Sequence, residues 1–149
     1  MKKIIVNNRQ RFTILKTLLS ETSRLDDKSL KILHNCGAQC AQSSQLLAGA
    51  QKISEKFPPD TDPEQLFQAF KSRYYNYPNF TKEGNTITLI FEECTCPLVK
   101  QGADNPLLCH CTVGYSHKIF ETLFNQPVKI KLLKSILRGD DACHQEIIL

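Results

Sequence analysis

The sequence has no marked excess of charge of either sign. Nineteen Lys and Arg stand against fifteen Asp and Glu, the small cationic surplus lies in residues 1–60, and no basic run is long enough to grip nucleic acid or an anionic membrane. No nucleic-acid partner is expected. A long apolar run is also missing. After Met1, Lys2 and Lys3 only Ile4 to Val6 are apolar, against the roughly 7–15 residues of a secretory signal's apolar region. A chain that starts at Met1, stays in the cytoplasm and has no membrane partner is the expectation. In that reducing compartment seven cysteines, an odd number, read as thiols or metal ligands and not as a disulfide framework. Internal repeats and low-complexity segments are absent as well. With 149 residues, 41% of them hydrophobic, one domain spanning 1–149 is expected.

Cysteine is what the chain does have, and its placement is uneven. Cys94, Cys96, Cys109, Cys111 and Cys143 all fall between Glu92 and Glu146. Two thiols at i and i+2 on an extended segment share one face of a sheet, so Cys94/Cys96 and Cys109/Cys111 are same-side pairs if their segments are strands. Cys36 and Cys40 stand at i and i+4 in a helical pattern, again on one face. Convergence of Cys36, Cys40, Cys94, Cys96, Cys109 and Cys111 on a metal ion would supply more than enough thiolates. Zinc is expected over an iron–sulfur cluster, because no ferredoxin spacing is present. Cys-x-Cys is not the usual Cys-x-x-Cys knuckle, which weakens the zinc signal. A competing reading is a cysteine nucleophile, Cys94 or Cys109, with a histidine such as His117 brought near by folding. In a strand His110 would face away from Cys109 and could not activate it directly. In a third reading the thiols are small buried hydrophobes around a pocket or dimer interface.

Periodicity places these residues on elements. Residues 3–6 suggest a short strand and 9–22 an amphipathic helix. Asp26 and Asp27 are N-cap candidates for one long helix over 28–54, whose centre, Cys36 to Ala41, is small enough for another backbone or a ligand to come close. Pro58 and Pro59 end it. Asp62, Pro63 and Gln65 open a further helix, and the aromatic stretch Tyr74 to Phe80 reads chiefly as core. Thr86 to Phe91 is a strand, and continuing its alternation puts Cys94 and Cys96 on one face before Pro97. Leu107 to Cys111 then leads to a helix over 112–125, with Thr112 as a cap and His117 on an apolar stripe. Strands near 128–134 and 142–149 flank Gly139, Asp140 and Asp141, which read as turn formers, and form an antiparallel hairpin. The fold class is therefore α+β: a mostly helical part, 1–80, packed on a mainly antiparallel sheet, and a strand-helix-strand-strand unit, 86–149. The small stretch of the long helix is expected to pack against the sheet face carrying Cys94 and Cys96.

The terminal run Gly139 to Ile147, preceded by a strand, a helix opening near Gly114 and Cys109 just before it, resembles the 4-vinyl reductase domain superfamily. That group includes relatives of thiazoline-carboxylate hydrolases and of vesicle-tethering subunits. Cys36-Gly37-Ala38-Gln39-Cys40 and Cys94-Thr95-Cys96-Pro97 are similar to motifs of a cysteine-rich bacterial family. The resemblance covers about residues 86–149 and the cysteine helix. It implies a domain that binds a small-molecule ligand, has cysteines that hold a metal, and commonly forms a homodimer. The alternative it carries is a hydrolase of a small cyclic amide or thiazoline.

Overall fold

A computed structural model describes residues 26–149, so the expected strand over 3–6 and helix over 9–22 lie outside the described residues. The order is α1 (Asp27–Ala41), α2 (Gln45–Lys56), α3 (Pro63–Tyr74), β1 (Phe80–Glu83), β2 (Thr86–Phe91), α4 (Pro97–Lys100), α5 (Leu108–Phe124), β3 (Lys129–Lys134), a 3-10 turn (Ile136–Arg138) and β4 (Cys143–Ile148). The strands make one antiparallel sheet in the order β1-β2-β4-β3. Helices largely precede strands, and the fold is α+β.

Local chemistry sets the helix boundaries. Asp26 caps α1 by accepting from the Ser29 N–H at 2.7 Å, and Asp62 caps α3 by accepting from Glu64 at 2.8 Å, with Pro63 in the first turn. The single helix expected over 28–54 is two helices. Ser44 Oγ accepts from the N–H groups of Leu46 and Leu47 at 3.0 and 3.2 Å, and a serine that caps a new helix competes with continuation of the old one. The helix expected from residue 112 starts at Leu108. Asn105 Oδ1 accepts from the Leu107 N–H at 3.0 Å, and Pro106, which has no N–H to leave unsatisfied, follows it, so the start is built four residues before Thr112.

Helix α5 lies at the centre of the fold, against α1, α2, α3 and β3. Its Ile119, Phe120, Leu123 and Phe124 join Phe67 and Phe70 of α3, Ile87 and Leu89 of β2, and Ile147 of β4 in one buried cluster. Phe80 is fully buried in it and brings β1 into the sheet. Tyr75 and Tyr77 pack on the same cluster, with Tyr75 and Phe80 rings 4.9 Å apart. The aromatic stretch is thus core, and burial pushes the Tyr75 hydroxyl well above its usual range.

The small stretch of α1 does not meet the sheet as expected. It crosses α5. A Cβ placed on Gly37 would fall on the Cys111 carbonyl and the Tyr115 N–H, and one placed on Gly114 would fall on the backbone of His34. Each helix offers a glycine to the other's backbone, which lets the axes approach closely. Among the described residues no helix is long and apolar enough to cross a membrane.

Candidate functional site

Above that crossing, three separate segments bring thiols to one small cavity. Cys94 and Cys96 come from the connection after β2, Cys109 from the first turn of α5, and Cys143 from the start of β4. The cavity volume is about 30 Å³, room for an ion or a water or two and far below the several hundred Å³ of a typical organic-ligand pocket. Phe91, Leu108, Leu132 and Leu137 close it with apolar side chains. All four cysteines are reduced thiols.

The secondary structure that delivers these sulfurs differs from the expected one. Strand β2 stops at Phe91, so Cys94 and Cys96 are not alternating positions of a strand; Cys96 is the residue that opens α4. Cys109 and Cys111 sit in a helix, where i and i+2 point about 200° apart. Only Cys109 reaches the cavity, while the Cys111 carbonyl lies against Gly37. Cys36 packs on an apolar patch around Leu33 and Leu108 that shares Val99, Leu108 and Leu137 with the cavity wall, but it does not line the cavity itself. Cys40 is off the wall but close enough for its charge to be felt at Cys96. Of the six expected metal ligands, then, Cys94, Cys96 and Cys109 share the cavity, whereas Cys36, Cys40 and Cys111 do not line it.

Each buried sulfur has a defined electrostatic setting. Burial pushes the thiols of Cys96, Cys109 and Cys143 above their ordinary range, opposed at each by hydrogen bonding. Cys96 has the Leu98 and Val99 N–H groups, Cys143 Sγ accepts from the Ile136 N–H at 3.5 Å, and Cys109 Sγ shares a 2.8 Å hydrogen bond with Ser135 Oγ. Ser135 is fully buried. It is fixed in turn by Asp140, whose Oδ2 accepts from the Ser135 N–H at 2.7 Å. Asp140 is therefore more than a solvated turn former, and Asp141 pairs with Lys134 at 2.9 Å.

Sequence reasoning missed three members of this site: Cys143 as a wall residue, Ser135 and Gln145. The signal for two was present, since Cys143, Gln145 and Ile147 alternate along one face of β4. Gln145 is 2% exposed, lines the cavity, and its Oε1 is buried without a hydrogen-bond partner. Ser135 could not be read off. It follows the irregularity in β3 where Leu132 pairs with Gln145 but Lys134 with His144, and that extra residue leaves Leu133 exposed and shifts the side-chain alternation.

His117, the histidine of the nucleophile reading, is elsewhere. It lines a wider groove of about 410 Å³ along α1 and α5 with His34, Lys31, Lys118 and Glu121, and its Nδ1 is 3.5 Å from Glu121 Oε2. Cys94 and Cys109 share the thiol cavity without it. Half-buried His34 has its ring 6.4 Å from that of His110, and burial first, then His117, holds it below its ordinary value of 6.5. The unfolded chain therefore takes up this proton at a higher pH than the folded one, so stability is present above 6.5 and lost as pH falls through the folded value. Melting followed from about pH 7 to pH 5 should fall below about 6.5, and His34→Gln should flatten that fall. A parallel decline in the variant would show that other groups carry it.

A family model described as a family of unknown function (DUF6144) matches residues 14–149. The chain belongs to the DUF6144 family. No curated protein matches it. The match takes in both the cysteine helix and all four cavity thiols, so in this DUF6144 chain the site lies wholly within the family's extent.

Two features bear on what a DUF6144 site of this kind can hold. Four sulfurs line it, with Glu93 beside them, and thiolates are ligands that zinc and softer thiophilic ions accept. Among the described residues, however, no three His, Cys, Asp or Glu side chains form a group that could hold a metal ion. The donor chemistry and the cavity size suit an ion, but the positions do not yet close around one.

Proposed function

We propose that this chain is a binding domain for a thiophilic metal ion, zinc in the first instance, held by Cys94, Cys96, Cys109 and Cys143. The observation that carries the reading is the arrival of four thiols from three segments at a cavity of ion size. Cys109 and Cys143 are set on α5 and β4, elements of the main core. Cys94 and Cys96 sit on the short connection after β2, so binding draws that connection inward to close the ligand set. The resemblance of residues 86–149 to 4-vinyl reductase domains implies cysteines as candidate metal ligands, which agrees with this reading. A thiol raised by burial and tied to a serine is a poor nucleophile, which places cysteine hydrolysis second.

The test is a zinc titration of the anaerobically reduced protein against a chromophoric chelator, with each cysteine replaced in turn. Cys94→Ser, Cys96→Ser, Cys109→Ser and Cys143→Ser should each weaken zinc binding by roughly 100-fold or more, since a lost thiolate removes a whole metal bond. Cys36→Ser, Cys40→Ser and Cys111→Ser should stay near the parent if folded. A protein that takes up no zinc, or binding that depends on Cys36 and Cys40, would rule the assignment out.

A further inference from the structure

Cys109 and Cys143 reach the cavity from different elements, α5 and β4, yet their sulfurs are held by neighbouring residues of one turn. Cys109 Sγ shares its 2.8 Å hydrogen bond with Ser135 Oγ, and Cys143 Sγ accepts from the Ile136 N–H at 3.5 Å. Consecutive Cα atoms lie about 3.8 Å apart, so the two sulfurs converge on a single peptide unit. Cys143 is near enough for its charge to be felt at Cys109. In access the two differ: Cys109 is 7% exposed, whereas Cys143 is half-buried.

We infer that Cys109 and Cys143 form a dithiol site that exchanges with small-molecule disulfides and closes to an intramolecular disulfide. The more exposed Cys143 gives its proton to solvent, and its thiolate attacks one sulfur of the small disulfide, whose other sulfur leaves as a thiolate. A mixed disulfide then stands at Cys143. Cys109 loses its proton in turn and attacks the Cys143 sulfur, which releases the second half of the small molecule as a thiolate. The protein pair has lost two electrons and two protons, and the small disulfide has become two thiols. This chemistry needs two sulfurs and no metal, so it stands apart from the zinc reading. Burial, which raises both thiols, gives the pair its character. Thiolate is scarce at neutral pH, which makes closure slow, and a thiol that holds its proton tightly is a poor leaving group, so the closed bond resists reopening. Cys96 lines the same cavity but is tied to the Leu98 and Val99 N–H groups of its own segment. Cys94, on the same short connection, is the competing partner that a test must exclude.

The test is to incubate the fully reduced, chelator-treated protein with excess oxidised glutathione, quench with acid, alkylate the remaining thiols and map the peptides by mass spectrometry. The parent should lose the thiols of Cys109 and Cys143 together and show these two joined, with glutathione on neither. Dithiothreitol, a dithiol, should then restore both. Cys109→Ser removes the resolving sulfur and should accumulate glutathione on Cys143. Cys143→Ser leaves only the buried sulfur, and Cys109 should react roughly 10-fold more slowly than Cys143 does in the parent. A parent that keeps both thiols, a link from either cysteine to Cys94 or Cys96, or glutathione that stays on Cys143 without resolution would each overturn the pair. The parent's own peptide map needs no substitution, so it decides the matter even if a serine variant fails to fold. Failure of zinc to bind leaves this result untouched, and a four-cysteine zinc site would survive the absence of the disulfide.

Discussion

Gly37→Ala should unfold this protein far more easily than an added methyl group in a helix normally would. In an exposed helix the change is favourable by about 1 kcal/mol, because alanine loses less backbone freedom. Here the new Cβ would lie on the Cys111 carbonyl and close to the Tyr115 N–H. Both belong to the α5 backbone, so no rotamer change can make room and the two helices must move apart. Overpacking of this kind costs about 1–3 kcal/mol and occasionally more, and rigid backbone on both sides argues for the upper end. We expect a net loss of about 2–3 kcal/mol, a melting point lower by roughly 4–12 °C at this chain length. Gly114→Ala should do the same, since its Cβ would meet the backbone of His34. The two changes should be less than additive, because once the helices have parted the second methyl finds room. Urea unfolding of the parent, both variants and the double variant measures all of this. A neutral or stabilising Gly37→Ala would mean that the close crossing does not exist.

That crossing marks how far the sequence could be read. The small stretch Cys36 to Ala41 announced a close approach, and helix geometry cannot say of what. The partner is the α5 backbone at Cys111 and Tyr115, with Gly114 of α5 facing His34 in return, and such a match between segments far apart in the chain leaves no local pattern. Capping chemistry was legible at Asp26 and Asp62, because a cap acts within three residues. It was equally present at Ser44, where apolar periodicity running across the boundary concealed it, and the Asn105-Pro106 turn before α5 was hidden by reading the next residues as extended. The strand misread at Leu107 to Cys111 then carried the error into the site: a period of two made Cys109 and Cys111 a pair, and the real period of 3.6 separates them. Cys143 lay in plain view on an alternating strand. What joins it to Cys109 is the tertiary return of β4 beside β2, together with Ser135, placed by an irregular β3 that no alternation rule anticipates. The thiol-rich character of the site could be read from composition, and its membership could not.

Zinc should raise the melting point of this protein strongly, and the rise should grow with pH even as the metal-free protein weakens. An ion that binds only the folded state stabilises it by about 4 kcal/mol when present at 1,000 times its dissociation constant, worth roughly 8–16 °C here. The pH dependence follows from the thiols. Burial raises Cys96, Cys109 and Cys143 in the folded protein, so without metal their contribution is fully present below the unfolded value, about 8.5. It is lost as pH rises through the folded value, since the unfolded chain gives up these protons first. Binding has the opposite sign. Each thiol must release its proton to the solvent to hold the ion, so affinity climbs through the neutral range, by up to roughly tenfold per pH unit for each thiol that is still protonated. The two melting curves should therefore diverge from about pH 7 to pH 9, and Cys109→Ser should shrink both effects at once. Calorimetric zinc titrations in two buffers of different ionisation heat would count the released protons directly. Release of none, or melting that is indifferent to a chelator across that range, would leave the four sulfurs as packing groups around a small cavity.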